Sequence, residues 1–143
     1  MNEYLQIITH TVTEWDSVAS APHRFGGIEF TLENAEIGHV HMDGLVDIPF
    51  TRKLAQQLIE DGQAEPHHVL PETGWISYYI RKPDDVAHAF QLFRLSYLQK
   101  RLARSRREPE IANAIRNELQ AMTMSDKLRA LLIGDQFTAR DGA

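Results

Sequence analysis

Glu36-Ile-Gly-His-Val-His-Met-Asp-Gly-Leu-Val-Asp-Ile-Pro-Phe50 is the stretch whose reading decides the fold. Asp43-Gly44 is a two-residue turn signal, because Asp and Gly tolerate the positive φ that a type I′ turn needs. The flanking segments 36–41 and 45–50 then read as the two strands of a hairpin. On such a strand His39 and His41 project from one face, roughly 6.5–7 Å apart. A two-residue loop pairs Met42 with Leu45, His41 with Val46 and His39 with Ile48. Ile37, His39, His41, Val46, Ile48 and Phe50 are then expected on one surface, with Asp47 on the other opposite Val40. A three-residue loop with a bulge slips the pairing by one and turns Asp47 toward the histidines. The turn signal favours the first register.

Upstream, Ile28-Glu-Phe-Thr-Leu32 alternates as a half-buried strand, and Arg24-Phe-Gly-Gly27 is a turn before it. Tyr4, Leu5, Ile8, Val12, Trp15 and Val18 recur near 3.6 residues, which predicts one amphipathic helix over 2–20, ending near Ala19-Ser20 before Pro22. His10 falls off that stripe and reads as a surface residue. Downstream, Pro49 ends the ladder and Thr51 is placed to cap a helix over 52–61, with Leu54, Leu58 and Ile59 inward and Gly62 just past its end. Pro66 and Pro71 make 64–73 irregular, a loop that carries His67 and His68. A strand over 75–81 follows Gly74, with Trp75, Ser77 and Tyr79 on one face. Pro83-Asp84-Asp85 opens a long apolar helix over 84–104, since proline suits a first turn and carboxylates suit its positive dipole end. Pro109 starts another, with Ile111, Ile115, Leu119 and Met122 at helical spacing, and 126–133 adds a leucine-rich turn or two.

The expected fold class is therefore α+β: a mainly antiparallel sheet of four or five strands in the order α-β-β-β-α-β-α-α, with the first helix and the 84–104 helix on one face. Residues 1–107 form the domain. The helices of 108–143 are expected to pack on it or on a partner subunit, a homodimer through 109–133 being the partner expected, because their leucine stripe needs a cover.

Composition narrows the function classes. At 143 residues the chain can bury a core without staples, and its lack of cysteine excludes disulfides, thiolate catalysis and zinc–sulfur sites. A net charge of −5 argues against a nucleic-acid binder, so the five Lys and Arg residues of Lys100–Arg107 read as a solvated helix end suited to the negative dipole terminus. No apolar run is long enough to span a membrane and no secretory leader is evident, so a cytoplasmic protein without a membrane partner is expected. No Ser-His-Asp order or phosphate-binding glycine loop is present, and the sequence names no cofactor.

The chemistry is concentrated in the histidines. His39 and His41, with His67 as the third ligand and Glu36 behind, are candidates for a mononuclear metal site. The strand is similar to the His-x-His strand of cupins, although Gly44 and Leu45 stand where the cupin glutamate would be. An acid–base or anion-binding pocket using imidazole near neutral pH is a second reading. Histidines that only satisfy hydrogen bonds beneath the sheet are a third. Asp47 and Trp75 join His39, His41 and His67 as candidates to line a small-ligand pocket; a non-catalytic interaction module acting through protein or nucleic-acid contacts is the alternative.

Gly38-His-Val-His41, Asp43-Gly44, Asp47-Ile-Pro-Phe50, Leu58-Ile59, Gly62, Ala64-Glu-Pro-His67, Gly74-Trp75, Asp85 and Ser96-Tyr97 together resemble a family of small bacterial and fungal proteins labelled "luciferase domain". The resemblance runs from about residue 36 to 98. It implies that His39, His41, Asp47, His67, Gly74 and Trp75 are positions the family keeps. The layout is also similar to that of the MmcQ/YjbR family, which implies a helix-flanked antiparallel sheet of the frataxin-like kind.

Overall fold

A computed structural model describes residues 3–23 and 26–134. These residues form five helices and six strands: α1 (Glu3–Val12), β1 (Val18–Pro22), β2 (Ile28–Leu32), β3 (Ala35–Val40), β4 (Leu45–Pro49), α2 (Arg52–Glu60), β5 (Glu65–Pro66), β6 (Trp75–Tyr79), α3 (Asp85–Ala103), α4 (Pro109–Ala121) and α5 (Asp126–Ile133). The strands form one sheet in the order β1-β2-β3-β4-β6-β5, and every neighbouring pair is antiparallel. The expected α+β class holds, with two strands more than the predicted order contains.

The first added strand corrects the N-terminal helix. Trp15 and Val18 continue the helical spacing, yet α1 stops at Val12 and Ser17 takes a positive φ of 66°. Thr13 turns its hydroxyl back onto the Thr9 carbonyl at 2.6 Å, one of the side-chain bonds that compete with helix continuation. The chain then reverses and Val18–Pro22 pairs with β2, whose donors and acceptors offer the backbone a better partner than solvent. Trp15 and Val18 still reach the core, from a turn and a strand rather than a helix. The expected turn over 24–27 lies partly outside the described residues.

The hairpin takes the three-residue loop. His39 pairs with Asp47 and Val40 with Val46, while His41 N–H donates to the Leu45 carbonyl at 2.8 Å. Gly44 N–H closes the turn onto the His41 carbonyl at 3.1 Å, and Gly44 alone in the loop has positive φ, at 94°. A type I′ turn would need positive φ at Asp43 as well. Instead Asp43 uses its carboxylate to accept the Leu45 N–H at 3.1 Å, stabilising the longer loop. The expectation that Asp47 points away from the histidines is thereby overturned. So is the apolar setting: His39 does not pair with Ile48, and Val46 and Ile48 lie on the opposite face.

A β-bulge adds a second parity change. Phe30 pairs with Gly38 but Thr31 with Glu36, leaving Ile37 as the extra residue. Three residues apart, Glu36 and His39 would face opposite ways on a regular strand; the bulge puts both on one side. The carbonyl of Ile37 receives the Ser96 hydroxyl of α3 at 2.8 Å, and the hydroxyl of the next residue, Tyr97, donates to the Asp16 carbonyl at 2.8 Å. The Ser96-Tyr97 pair thus ties α3 to the bulge and to the N-terminal turn.

The core lies under α3. Phe30, Ile37, Val40, Val46, Ile48 and Ile76 of the sheet are fully buried against Phe93, Leu92 and Leu98 of α3, with Ile8 and Val12 of α1 beside them. Ile115 and Leu119 of α4, and Leu128 and Leu132 of α5, belong to the same cluster. Thr51 caps α2 as expected, its hydroxyl accepting the Leu54 N–H at 3.2 Å. Gly74 has a steric reason: a Cβ there would sit 1.8 Å from the Phe50 carbonyl oxygen, and the same contact lets Phe50 N–H donate to the Gly74 carbonyl at 2.8 Å. This fixes where β6 begins relative to β4. No described helix is long and apolar enough to cross a membrane.

Candidate functional site

The face of the sheet opposite α3 carries polar residues that are as dry as the core. Asp47 is 1% exposed, Ser77 2% and His39 7%. Cross-strand pairing puts them together: Asp47 faces His39 on β3 and Ser77 on β6. His41, two residues beyond His39, and Trp75, two before Ser77, extend the same face.

Everything converges on the Asp47 carboxylate. His41 Nε2 lies 2.8 Å and His39 Nε2 3.3 Å from Oδ2. The Ser77 hydroxyl donates to Oδ1 at 2.6 Å, and His67 Nε2 stands 3.6 Å from the same oxygen. The other nitrogen of His39, Nδ1, is 2.6 Å from Glu36 Oε2, the contact made possible by the bulge. His39 therefore has a carboxylate on each side. Burial by itself would push its pKa down, but the bonds and charges of Asp47 and Glu36 outweigh burial and lift it to about 9. Burial likewise pushes Asp47 up, and His39, Ser77 and His41 more than reverse this, holding the carboxyl well below the usual carboxylate range.

His67 is positioned by its own loop. Its Nδ1 accepts the backbone N–H groups of Val69 and Leu70, both at 3.1 Å. Burial lowers its pKa, so the neutral ring is favoured. An Nδ1 that accepts two amides carries no proton, so the neutral ring's proton is on Nε2, facing the carboxylate. His68 stacks on His67 with ring centroids 4.5 Å apart and is exposed.

Rings wall the cluster. Trp75 lies 5.5 Å from His39 and 5.9 Å from His67, between centroids. His23, beyond the end of β1, stacks on His39 at 4.0 Å and meets His41 edge-on at 5.8 Å. The structure thus gathers all five residues singled out from sequence, His39, His41, Asp47, His67 and Trp75, and adds His23, Ser77 and the Glu36 contact. Trp75-x-Ser77 alternation was the available signal for Ser77. His23 had none, because it arrives through β1–β2 pairing that local periodicity does not encode.

Among the described residues two sets of ligand atoms lie close enough to hold a metal ion: His39, His41 and Asp47, and Asp47, His67 and His68. The two differ in chemistry. In the first, His39 has its second nitrogen on a carboxylate and Asp47 its second oxygen on a hydroxyl, the outer contacts that orient metal ligands. In the second, the neutral His67 ring has its lone pair on Nδ1, committed to two amides, so its Nε2 has none to give. The expected ligand set of His39, His41 and His67 is not the arrangement this geometry favours.

The model of the family described as Luciferase domain matches residues 34–96. That span carries β3, the hairpin, α2, β5, β6 and most of α3, and so every member of the cluster except His23. No curated protein matches the chain, and no solved structure matches it.

Proposed function

We propose that His39 Nε2, His41 Nε2 and Asp47 Oδ2 bind one divalent first-row transition metal and present it to a small ligand from the side of His41, His67 and Trp75. The observation that supports this is the convergence of both Nε2 atoms on a single carboxylate oxygen, at 2.8 and 3.3 Å, in a dry site. Two imidazoles and a carboxylate on one side of an ion leave its remaining positions for water or ligand, a donor set suited to iron(II), manganese(II), cobalt(II) or zinc(II). Glu36 on His39 Nδ1 and Ser77 on Asp47 Oδ1 hold two of the three donors in orientation. The ion displaces the protons that now sit between the histidines and Asp47, so its affinity rises with pH as His39 gives up its proton. Bound there, it would act as a Lewis acid toward an oxygen of the ligand.

The direct test is metal content. Protein stripped with chelator and reloaded singly with each of the four ions, iron(II) under anaerobic conditions, is expected to hold about one equivalent after gel filtration. His39→Ala, His41→Ala and Asp47→Ala are expected to lose it and His67→Ala to keep it. Less than about a tenth of an equivalent with every ion sinks the reading.

A second reading is favoured by one contact set. His39 lies between Glu36 and Asp47, at 2.6 and 3.3 Å, the arrangement of an imidazolium that donates both protons. Without a metal the cluster is a buried acid–base relay, with His39 the proton store and His41, its side chain 23% exposed, the outlet. Metal content separates the two.

A further inference from the structure

We infer that His67 is a fixed hydrogen-bond donor that orients a small oxygen-donor anion, such as a carboxylate or enolate, in the open position of the His39–His41–Asp47 centre. This rests on the metal reading above and goes beyond it by naming the ligand class and the residue that selects it.

The inference starts from the two amides on His67 Nδ1. They belong to Val69 and Leu70, in a loop bounded by Pro66 and Pro71, and the loop is closed behind them by Thr73, whose hydroxyl donates to the Leu70 carbonyl at 2.8 Å. Ring orientation and tautomer are therefore set by backbone, and the Nε2–H edge is left toward Asp47. At 3.6 Å from Oδ1 it falls beyond hydrogen-bond range, and Oδ1 already receives Ser77 at 2.6 Å. Among the described residues Nε2 has no hydrogen bond. That N–H group, on a side chain 11% exposed and beside the anchoring carboxylate, is open to an acceptor that enters the site.

Charge decides what kind of acceptor. A divalent ion on neutral His39, neutral His41 and ionised Asp47 keeps one positive charge within its coordination sphere, offset only from the far side of His39 by Glu36, 2.6 Å from Nδ1, so the open position still attracts an anionic oxygen. The His67 Nε2–H then reaches that oxygen from outside the coordination sphere, as a donor does in an oxyanion site. A flat ligand also fits the wall: Trp75 lies between His39 and His67, 5.5 and 5.9 Å from their ring centroids.

The test uses the full chain loaded with cobalt(II), with acetohydroxamate as the small oxygen-donor anion, followed by visible absorption. Wild type is expected to bind it. His67→Leu is expected to keep its cobalt and bind acetohydroxamate about tenfold more weakly, and His67→Gln, whose amide still donates, to recover to within about threefold. Loss of cobalt in His67→Leu, or wild-type affinity in that variant, overturns the inference while leaving the metal centre standing. Failure of wild type to take up cobalt defeats both. A second measurement needs no variant: long-range ¹H–¹⁵N spectra of metal-free wild type are expected to show His67 protonated on Nε2. An Nδ1–H tautomer there overturns the inference.

Discussion

Alternate residues of β3, β4 and β6 do opposite things. Val40, Val46, Ile48 and Ile76 point under α3 and are 0% exposed, while on the reverse His39, Asp47 and Ser77 are 7%, 1% and 2% exposed. Both faces are dry, and they are held by different physics. The apolar face gains from area removed from water, which is non-directional and spread over many side chains. The polar face would be costly to bury unless its groups found partners, and His39, His41 and Ser77 all meet the same one, Asp47. Asp47 is thus a single point on which the reverse face depends, whereas no one residue of the core has that role. Removing an apolar side chain should damage stability and spare the site; changing Asp47 should destroy the site at a smaller cost in stability.

The largest expected effect follows directly. Ile48→Ala is expected to cost about 3–4 kcal/mol in urea unfolding, from lost transfer energy plus the cavity left between β4 and α3, with metal content per folded chain unchanged. Asp47→Asn is expected to cost about 2 kcal/mol in the metal-free protein, because its partners keep an amide oxygen but lose the charge, and to abolish metal binding. A folded Ile48→Ala protein without metal, or an Asp47→Asn protein with a full equivalent, would break the contrast.

A smaller effect separates the faces by sign. His39 on the polar face has its pKa raised from 6.5 to about 9. Between those values the folded metal-free chain holds a proton that the unfolded chain has released. Stability from His39 is therefore complete below pH 6.5 and is lost as pH rises through about 9, by something of the order of 2 kcal/mol. Lys100 of α3 reaches the end of the neighbouring strand β4, where Nζ donates to the Pro49 carbonyl at 2.7 Å and to Ser96 Oγ at 2.9 Å. It is the exception to the expected solvated helix end: burial pushes its pKa down from 10.5 to about 8. Between those values the unfolded chain holds the proton and the folded chain does not, so stability rises with pH, by a similar amount of about 2 kcal/mol. Urea unfolding of metal-free protein from pH 6 to 10.5 is expected to show a broad minimum between about pH 8 and 9. His39→Gln should remove the fall and Lys100→Met the rise. Slopes that survive both substitutions would show that other groups set them.

Much of the apolar face was legible in the sequence, because its signals are local. Thr51 before an amphipathic run gives α2, Pro109 before Ile111 and Ile115 gives α4, and alternation gives β2 and β6. β1 was not legible: Trp15 and Val18 fall on the helical stripe, and only pairing with β2 shows that the chain has turned. The polar face was legible as a set of residue types and not as an arrangement. His39, His41, His67, Asp47 and Trp75 stand out by chemistry, but the side on which Asp47 falls depends on one residue of hairpin register. The partner of His39 Nδ1 depends on a bulge at Ile37, and no local pattern marks either parity change.

The smallest effect tests what holds that register. Met42 is 58% exposed at the tip of the loop, and the ladder on either side already pairs His41 with Leu45 and His39 with Asp47. Deleting Met42 leaves Asp43-Gly44 as a two-residue loop between the same paired residues. The Asp-Gly pair then takes the type I′ turn for which it is suited, without slipping the strands. Register is maintained by the core: a one-residue slip turns one strand over against the other, driving either His39 or Asp47 under α3 and bringing either Val40 or Val46 and Ile48 out of it, at a cost far beyond any turn preference. The deletion variant is expected to change stability by no more than about 1 kcal/mol and to retain its metal equivalent, with cross-strand NOEs between residues 39 and 47 intact. Loss of both the metal and those NOEs in a folded protein would show that the extra loop residue, rather than the buried face, sets the side on which Asp47 lies.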